Sequence, residues 1–294
     1  MNKQLIITGD DYGLCPAVND AIEECLAAGT MRATCIMANM PSSAGAASLQ
    51  QKFPRSSLGV HWNLTQGTPV LEPARVPTLV DGAGQFYGSL RRRWLTRKLD
   101  RDEVRAELLR QYERFPSPAG PADFWNTHQD VHVFPGLFQL FVEFGKALKI
   151  PAMRCHERFT LPLRGSASGY HLRHPSYWAK GYVIHHWSAR ARATGVRMPD
   201  GRLNLPGYEA GKYTPTVLVD RLDWRNVRTA VELVIHPATE MDSRLGALTD
   251  SRLREHKLFR DPRLAGQFES IGMRLVGFEA LGMEFHGAGK EKAA

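Results

Sequence analysis

Leu5-Ile6-Ile7-Thr8-Gly9-Asp10-Asp11-Tyr12-Gly13 is an apolar run that ends abruptly in two adjacent carboxylates and a glycine. A short β-favouring run with no polar face reads as a strand buried on both sides, with the acidic pair at the carboxyl edge of a parallel sheet. In α/β folds that edge is where active sites collect. Neighbouring carboxylates repel, so a site that keeps both ionised supplies a cation to at least one of them, and a metal ion is the obvious candidate. The same residues also suit an Asx turn in which Asp11 caps the next helix. The stretch needs support from the rest of the chain.

Downstream, Pro16 to Ala28 carries apolar residues at Val18, Ala21, Ile22 and Cys25, with Pro16 suited to a first turn and Gly29 to a helix end. Arg32 to Ala38 reads as a strand, Pro41 to Lys52 as a short helix and Leu58 to Leu64 as a third strand. This β-α-β-α-β order predicts a parallel sheet, continued as a barrel or a doubly wound sheet. Residues 65 to 90 are Pro- and Gly-rich and read as a long irregular connection of the kind that lines a site. A charged amphipathic helix is expected over 100 to 114, a strand over Asp123 to Thr127, a helix over Pro135 to Leu148 and a strand over Pro151 to Arg154. From Glu157 to Gly211 the pattern lapses, apart from a helix near Tyr177 to Ala193, and residues 157–211 read as an insert or substrate-facing loop region. Val231 to Ile235 restores a strand that leads into His236, two helices and a last strand at Met273 to Gly277 follow, and 287–294 read as a frayed tail.

The 294 residues suffice for one α/β barrel or two smaller domains. Hydrophobic content of 43% with 23% charged residues is ordinary for a globular chain, and no apolar run approaches the roughly 18 residues of a membrane helix. The five-residue strand after Lys3 is too short for a signal-peptide core, so a cytoplasmic location is the expectation. Cys15, Cys25, Cys35 and Cys155 lack metal-ribbon spacing and read as free thiols. The net charge of +8 could attract an anionic partner. Much of it lies between Arg91 and Arg110, where Asp100, Asp102, Glu103 and Glu107 are interleaved, the pattern of a solvated helix face.

Three predicted strands end in Asp10-Asp11, His128 and His236, and a fourth carries His61 near its end. If the strands are parallel, all five side chains reach one rim. One carboxylate with two imidazoles makes a shell for a divalent ion that keeps positions open for water and substrate, and Asp11, His61 and His128 are assigned to it. Any one of these histidines fits a structural role, but packing alone poorly explains four polar strand ends.

These motifs carry a resemblance. Gly9-Asp10-Asp11-Tyr12-Gly13, Val60-His61-Trp62-Asn63-Leu64-Thr65, Thr127-His128-Gln129-Asp130-Val131-His132, Ile235-His236-Pro237-Ala238 and Arg252-Leu253-Arg254-Glu255-His256 are similar, in order, to motifs of the YdjC-like carbohydrate deacetylases. The resemblance implies a single-domain irregular (β/α) barrel related to the polysaccharide-deacetylase barrel, with a loop-rich insert. It implies metal-dependent hydrolysis of an N-acetyl group from an amino sugar. Family members commonly carry histidines where this chain has Gln129-Asp130, and Asp where it has Asn126. In the implied mechanism Asp10 takes the proton of the attacking water and His236 protonates the departing amine.

Other residues are read less narrowly. His132 either supports the metal shell through an intermediate residue or packs beneath it. Arg154 holds a substrate hydroxyl, orients Asp10 or forms an ordinary ion pair. Glu255 and Arg252 fix their helix rather than react. His171, His174, His185 and His186 are spaced too irregularly for a second metal site, and Tyr170, Tyr177, Trp178 and Trp187 either stack on sugar rings or form a small core. Zinc suits the mixed shell, with magnesium, cobalt or manganese as alternatives. The expected partner is an N-acetylated sugar on an oligosaccharide, lipid carrier or metabolite, with no nucleic acid and with a homodimer left open. The alternatives are a non-catalytic sugar-binding protein, a hydrolase of phosphate esters and a nucleic-acid or anionic-surface binder; no DNA- or RNA-binding motif accompanies the basic charge, and the first four of the YdjC-like motifs hold no Arg or Lys for a phosphate.

Overall fold

A computed structural model describes residues 3–116, 121–134, 136–159, 175–203 and 230–281. Nine strands run through them: β1 (Lys3–Tyr12), β2 (Ala33–Ile36), β3 (Ser57–Trp62), β4 (Phe124–Thr127), β5 (Ala152–Met153), β6 (Arg158–Phe159), β7 (Gly201–Leu203), β8 (Ala230–Ile235) and β9 (Met273–Val276). The order is β5-β4-β3-β2-β1-β8-β7-β6, with β9 added alongside β1. Every pairing between these strands is parallel.

The sheet curls back on itself. β5 pairs with β4 and β6 with β7, yet only residues 154–157 separate them. Within that short link the Arg154 N–H donates to Trp125 O at 3.1 Å, and Glu157 O accepts the Arg202 N–H at 2.7 Å. One continuous stretch of chain therefore joins both edges of the sheet, as an irregular barrel requires. Residues 157–211, read as an insert, contribute β6, β7 and the helix Pro175–Ala193. Their remainder, including His171, His174 and Tyr170, lies outside the described residues, as does the tail 287–294.

Side chains alternate across each strand, and the inward set changes character along the barrel axis. Near the amino ends it is apolar: Ile6, Ala33, Phe124, Ala152, Ala230 and Phe278 form one cluster. Phe124 stacks on Phe278 with ring centroids 3.8 Å apart. Gly59 leaves the room for this plug, since a Cβ there would lie 2.5 Å from the Phe124 ring. One or two steps further along the same columns stand Asp10, His61, Asn126, Arg154 and Glu232, all buried. The larger apolar cluster, containing Leu5, Ile7, Val18, Ile22, Val60, Trp62 and Phe141, lies between the strands and the surrounding helices.

Helices fall close to their expected places at Pro16–Ala27, Arg101–Glu113, Phe138–Ala147, Pro175–Ala193, Thr249–Phe259 and Arg263–Ser270. Residues expected as one helix from Pro41 divide into a 3-10 segment, Ser43–Ser48, and a single α turn, Leu49–Lys52. On the basic helix Asp100 caps the amino end, accepting from the Asp102 and Glu103 N–H groups, and Arg105 pairs with Asp102. Arg110 pairs with Glu113 in the same way, but Glu107 departs from the solvated-face reading: it is buried and accepts the Val70 and Leu71 N–H groups.

Candidate active site

The strand that opens the chain ends in an irregularity. The pairing of β1 with β2 shifts register between Gly9 and Tyr12, and Asp11 takes a left-handed backbone with φ 71°. In a regular strand Asp10 and Asp11 would face opposite sides. The shift and the positive φ instead let both carboxylates enter the same cluster of side chains. Gly13, at φ 99°, then turns the chain into the first helix, and its N–H is held by Asn19 Oδ1 at 2.7 Å.

Asp11 Oδ1 lies 3.1 Å from His61 Nε2 and 3.0 Å from His128 Nδ1, and the two nitrogens are 3.4 Å apart. His61 comes from β3 and His128 from the residue after β4, so adjacent parallel strands deliver both to one point. The rear of each group is occupied. His61 Nδ1 donates to Asn126 Oδ1 at 2.5 Å, and Asp11 Oδ2 accepts from Arg252 Nη2 at 2.6 Å.

A divalent ion fits this arrangement. Three donor atoms 3.0–3.4 Å apart have the separations of neighbouring vertices in a shell whose bonds are about 2.0–2.2 Å long. An imidazole whose far nitrogen donates to a side-chain oxygen is the usual orientation of a histidine ligand. Asp10, Cys35 and His61 form a second group with suitable donors close together, but Arg154 already occupies Asp10.

Asp10 stands beside the trio, held by a different network. Arg154 Nη1 and Nη2 donate to its two oxygens at 2.6 and 2.7 Å, Cys35 Sγ lies 3.1 Å from Oδ1 and Asn126 Nδ2 donates to Oδ1 at 3.3 Å. On its other edge Arg154 donates to Glu232, at 2.8 Å from Nη2. Burial works to raise the Asp10 carboxyl, but the Arg154 guanidinium holds it well below the ordinary carboxylate range. Asp11 is likewise opposed by burial and lowered by His128 and Arg252. His236 Nε2 lies 3.8 Å from Asp10 Oδ2, and burial lowers its imidazole despite the pull of Asp10.

All five residues expected at the rim thus meet in one cluster. Arg154 touches Asp10 directly. Glu255 Oε2 accepts the His236 backbone N–H at 2.5 Å and so fixes the end of β8. His132 touches none of the trio: its Nδ1 bonds Thr127 Oγ1 at 2.6 Å, and its ring packs against Trp125, Phe141 and His156. Of the insert histidines, His185 pairs with Glu157 at 2.9 Å. Trp187 stacks on Phe138, which matches the small-core reading of that aromatic.

Sequence reasoning passed over Glu232, Asn126 as an active partner and the reach of Arg252. Glu232 had a signal, a lone carboxylate inside the apolar run Val231 to Ile235, which a parallel strand tolerates only with an internal cation. Arg252 had none, because its partner is 241 residues away.

A family model described as YdjC-like protein matches residues 4–270. The chain is 33% identical over 152 residues to the chitooligosaccharide deacetylase of Serratia marcescens, covering 51% of this chain and 59% of that protein. It is 25% identical over 314 aligned positions to the carbohydrate deacetylase of Danio rerio, covering 94% and 97%. Among solved structures it is similar to an Enterococcus faecalis protein assigned provisionally to cellobiose-phosphate cleavage, with a TM-score of 0.72, 24% identity and coverage of 95% and 98%. That likeness is one of fold. No helix among the described residues is long and apolar enough to cross a membrane.

Proposed function

The chain belongs to the YdjC-like protein family, and from that premise we propose that it is a metal-dependent hydrolase that removes an N-acetyl group from an amino sugar, releasing acetate and a free amine. The observation that carries the reading is the convergence of Asp11 Oδ1, His61 Nε2 and His128 Nδ1 within 3.4 Å, with Asp10 and His236 beside them. The names of the Serratia and Danio relatives support the substrate class.

Asp11, His61 and His128 would hold the ion, and their oxygen and nitrogen donors favour zinc over magnesium, cobalt or manganese. A divalent ion in such a shell lowers the pKa of bound water and polarises a carbonyl. Arg154 keeps Asp10 ionised and fixed by both oxygens, so that Asp10 is ready to take the proton of the attacking water. His236 rests neutral and faces Asp10 across 3.8 Å. It receives that proton and delivers it to the amine nitrogen as the C–N bond breaks, which returns Asp10 and His236 to their starting states. Glu255 holds the His236 backbone in place for this transfer. His132 supports the site through packing beneath the strand end that carries His128.

The test is a calorimetric titration of the metal-stripped protein with zinc, alongside His128→Ala, followed by acetate release from N-acetylated chito-oligosaccharides. One ion per chain, lost in the variant, with acetate released only by the loaded protein, is the expected result. Absence of binding by zinc, magnesium, cobalt and manganese alike would sink the metal-hydrolase reading.

A further inference from the structure

His128 is followed at once by a strained turn. Gln129 and Asp130 take φ/ψ of 54°/25° and 55°/31°, both left-handed. Of the described residues other than glycine, five have a positive φ, and only these two are adjacent. That region is unfavourable for any residue with a Cβ, and Gln lacks the tolerance that Asp has for it. Such a turn persists only where its surroundings over-determine it. Thr127 joins the two ends: its Oγ1 lies 2.6 Å from His132 Nδ1 and accepts the His132 N–H at 3.4 Å. The residues between those ends are held by something else.

The hold comes from across the barrel seam. Asp130 Oδ1 and Oδ2 accept from Arg202 Nη1 and Nη2 at 3.2 and 3.3 Å, and His156 Nδ1 lies 3.7 Å from Oδ1. Asp130 follows β4 and Arg202 lies on β7, near opposite ends of the strand order. Arg202 is fixed without help from Asp130, since its N–H donates to Glu157 O and its Cα is in register with Glu232 on β8. Its side chain is only 8% exposed, and Nε has no hydrogen-bond partner among the described residues. A buried guanidinium with a nitrogen unmet is destabilising, and strand packing alone would be served better by an apolar side chain. What the guanidinium supplies is a two-pronged grip on the Asp130 carboxylate.

The grip reaches His128 through the backbone. The hand of the turn sets where the imidazole points, and in the observed hand Nδ1 lies 3.0 Å from Asp11 Oδ1. Once released, Gln129 and Asp130 fall into the commoner right-handed or extended regions and carry His128 away from the trio. Only the fraction of molecules in the observed hand then binds an ion, and the apparent affinity drops by that fraction. We propose that Arg202 is a positioning residue that, through Asp130, holds the turn after β4 in its left-handed form and so keeps His128 aimed at the metal shell. Closure of the barrel seam and assembly of the shell are thereby one event. The inference rests on the reading of Asp11, His61 and His128 as that shell.

The metal-stripped full-length protein is titrated with zinc, magnesium, cobalt and manganese, and variants are compared by chelator competition for the ion that the wild type binds most tightly. Arg202→Met is expected to bind it about tenfold more weakly, the lower end of the loss usual for groups behind a ligand. Adding Gln129→Gly, which takes a left-handed φ without penalty, to Arg202→Met recovers about fivefold of that loss. With Arg202 present the grip already holds the turn, and Gln129→Gly changes affinity by less than twofold. An ion pair that served folding alone would lower stability toward denaturant without moving the affinity of the folded protein. Asp130→Ala replaces Arg202→Met if that variant does not fold. Affinity within twofold of wild type in the variant without the grip overturns the inference and leaves the metal site standing. So does a loss that Gln129→Gly does not reduce, or an equal gain from Gln129→Gly with Arg202 in place. A wild type that binds none of the four ions overturns the metal reading and the inference together.

Discussion

Asn126 Oδ1 lies 2.5 Å from His61 Nδ1 and turns the imidazole so that Nε2 faces Asp11. The amide cannot flip freely, because its Nδ2 donates to Asp10 Oδ1 at 3.3 Å. One neutral side chain thus sets the tautomer of a proposed metal ligand and touches the proposed base. Asn126→Ala leaves His61 free to rotate, and zinc affinity is expected to fall about 10–100-fold while the fold is retained. Chelator competition checks this, and unchanged affinity would remove Asn126 from the site.

His236 stands outside the trio, 3.8 Å from Asp10 rather than among the ligand atoms. Its loss should therefore spare metal binding and strike turnover. His236→Ala is expected to lower kcat for acetate release by about 10²–10⁴, with zinc affinity within twofold of wild type. A comparable loss of both would place His236 in the shell itself.

Arg154 is buried with Asp10 on one edge and Glu232 on the other. Arg154→Met removes the guanidinium shared by two buried carboxylates, and removal of one member of such a group costs about 3–5 kcal/mol. Replacing Glu232 by Leu in the same chain removes one of the stranded charges and should recover part of the loss. Chemical denaturation of the single and double variants decides; a double variant less stable than Arg154→Met would show that Glu232 contributes through something other than this pair.

How much of this was legible in the sequence depends on the distance over which each signal acts. Strand ends announce themselves locally: an apolar run stopping at Asp10-Asp11, His128 or His236 marks a rim residue whatever the partner is. The parallel sheet follows from alternation, and parallel strands bring the ends that carry Asp11, His61 and His128 to one rim, although β2 stands between β1 and β3. The joining of the sheet's edges through residues 154–157 was not legible, since β5 and β6 span two residues each and carry no periodicity. The hold of Arg252 on Asp11 was hidden for a different reason, because no local pattern encodes a contact between the first strand and a helix 241 residues later. For His132 the sequence leaves two readings open, and in the structure it hydrogen-bonds Thr127 Oγ1 and packs against the Trp125 ring.

His132 and His156 yield a prediction about pH. Both are buried, with ring centroids 4.4 Å apart, and neither Nε2 has a hydrogen-bond partner. Burial lowers both imidazoles, His132 to about 3 and His156 well below the usual value, more than nearby Asp130 can raise them. The folded chain therefore keeps both neutral while the unfolded chain takes up a proton on each near pH 6.5. Below that pH the unfolded state binds more protons, so stability falls as pH falls, by up to about 1.4 kcal/mol per pH unit for each histidine. His236, also lowered, adds to the same slope. His61 is raised well above its usual value, with burial opposing and Asp10 favouring its charged form; it stays protonated in the folded chain and opposes this slope only until the unfolded histidine is protonated as well, about one pH unit below 6.5. The depressed carboxylates Asp10, Asp11 and Asp130 enter only near pH 4 and below, where their unfolded forms begin to protonate. Denaturant unfolding of the metal-stripped protein between pH 7 and 4.5 should show this decline, and His156→Asn should reduce its slope by about 1.4 kcal/mol per pH unit. Identical slopes for the variant and the wild type would mean that His156 is already protonated in the folded chain.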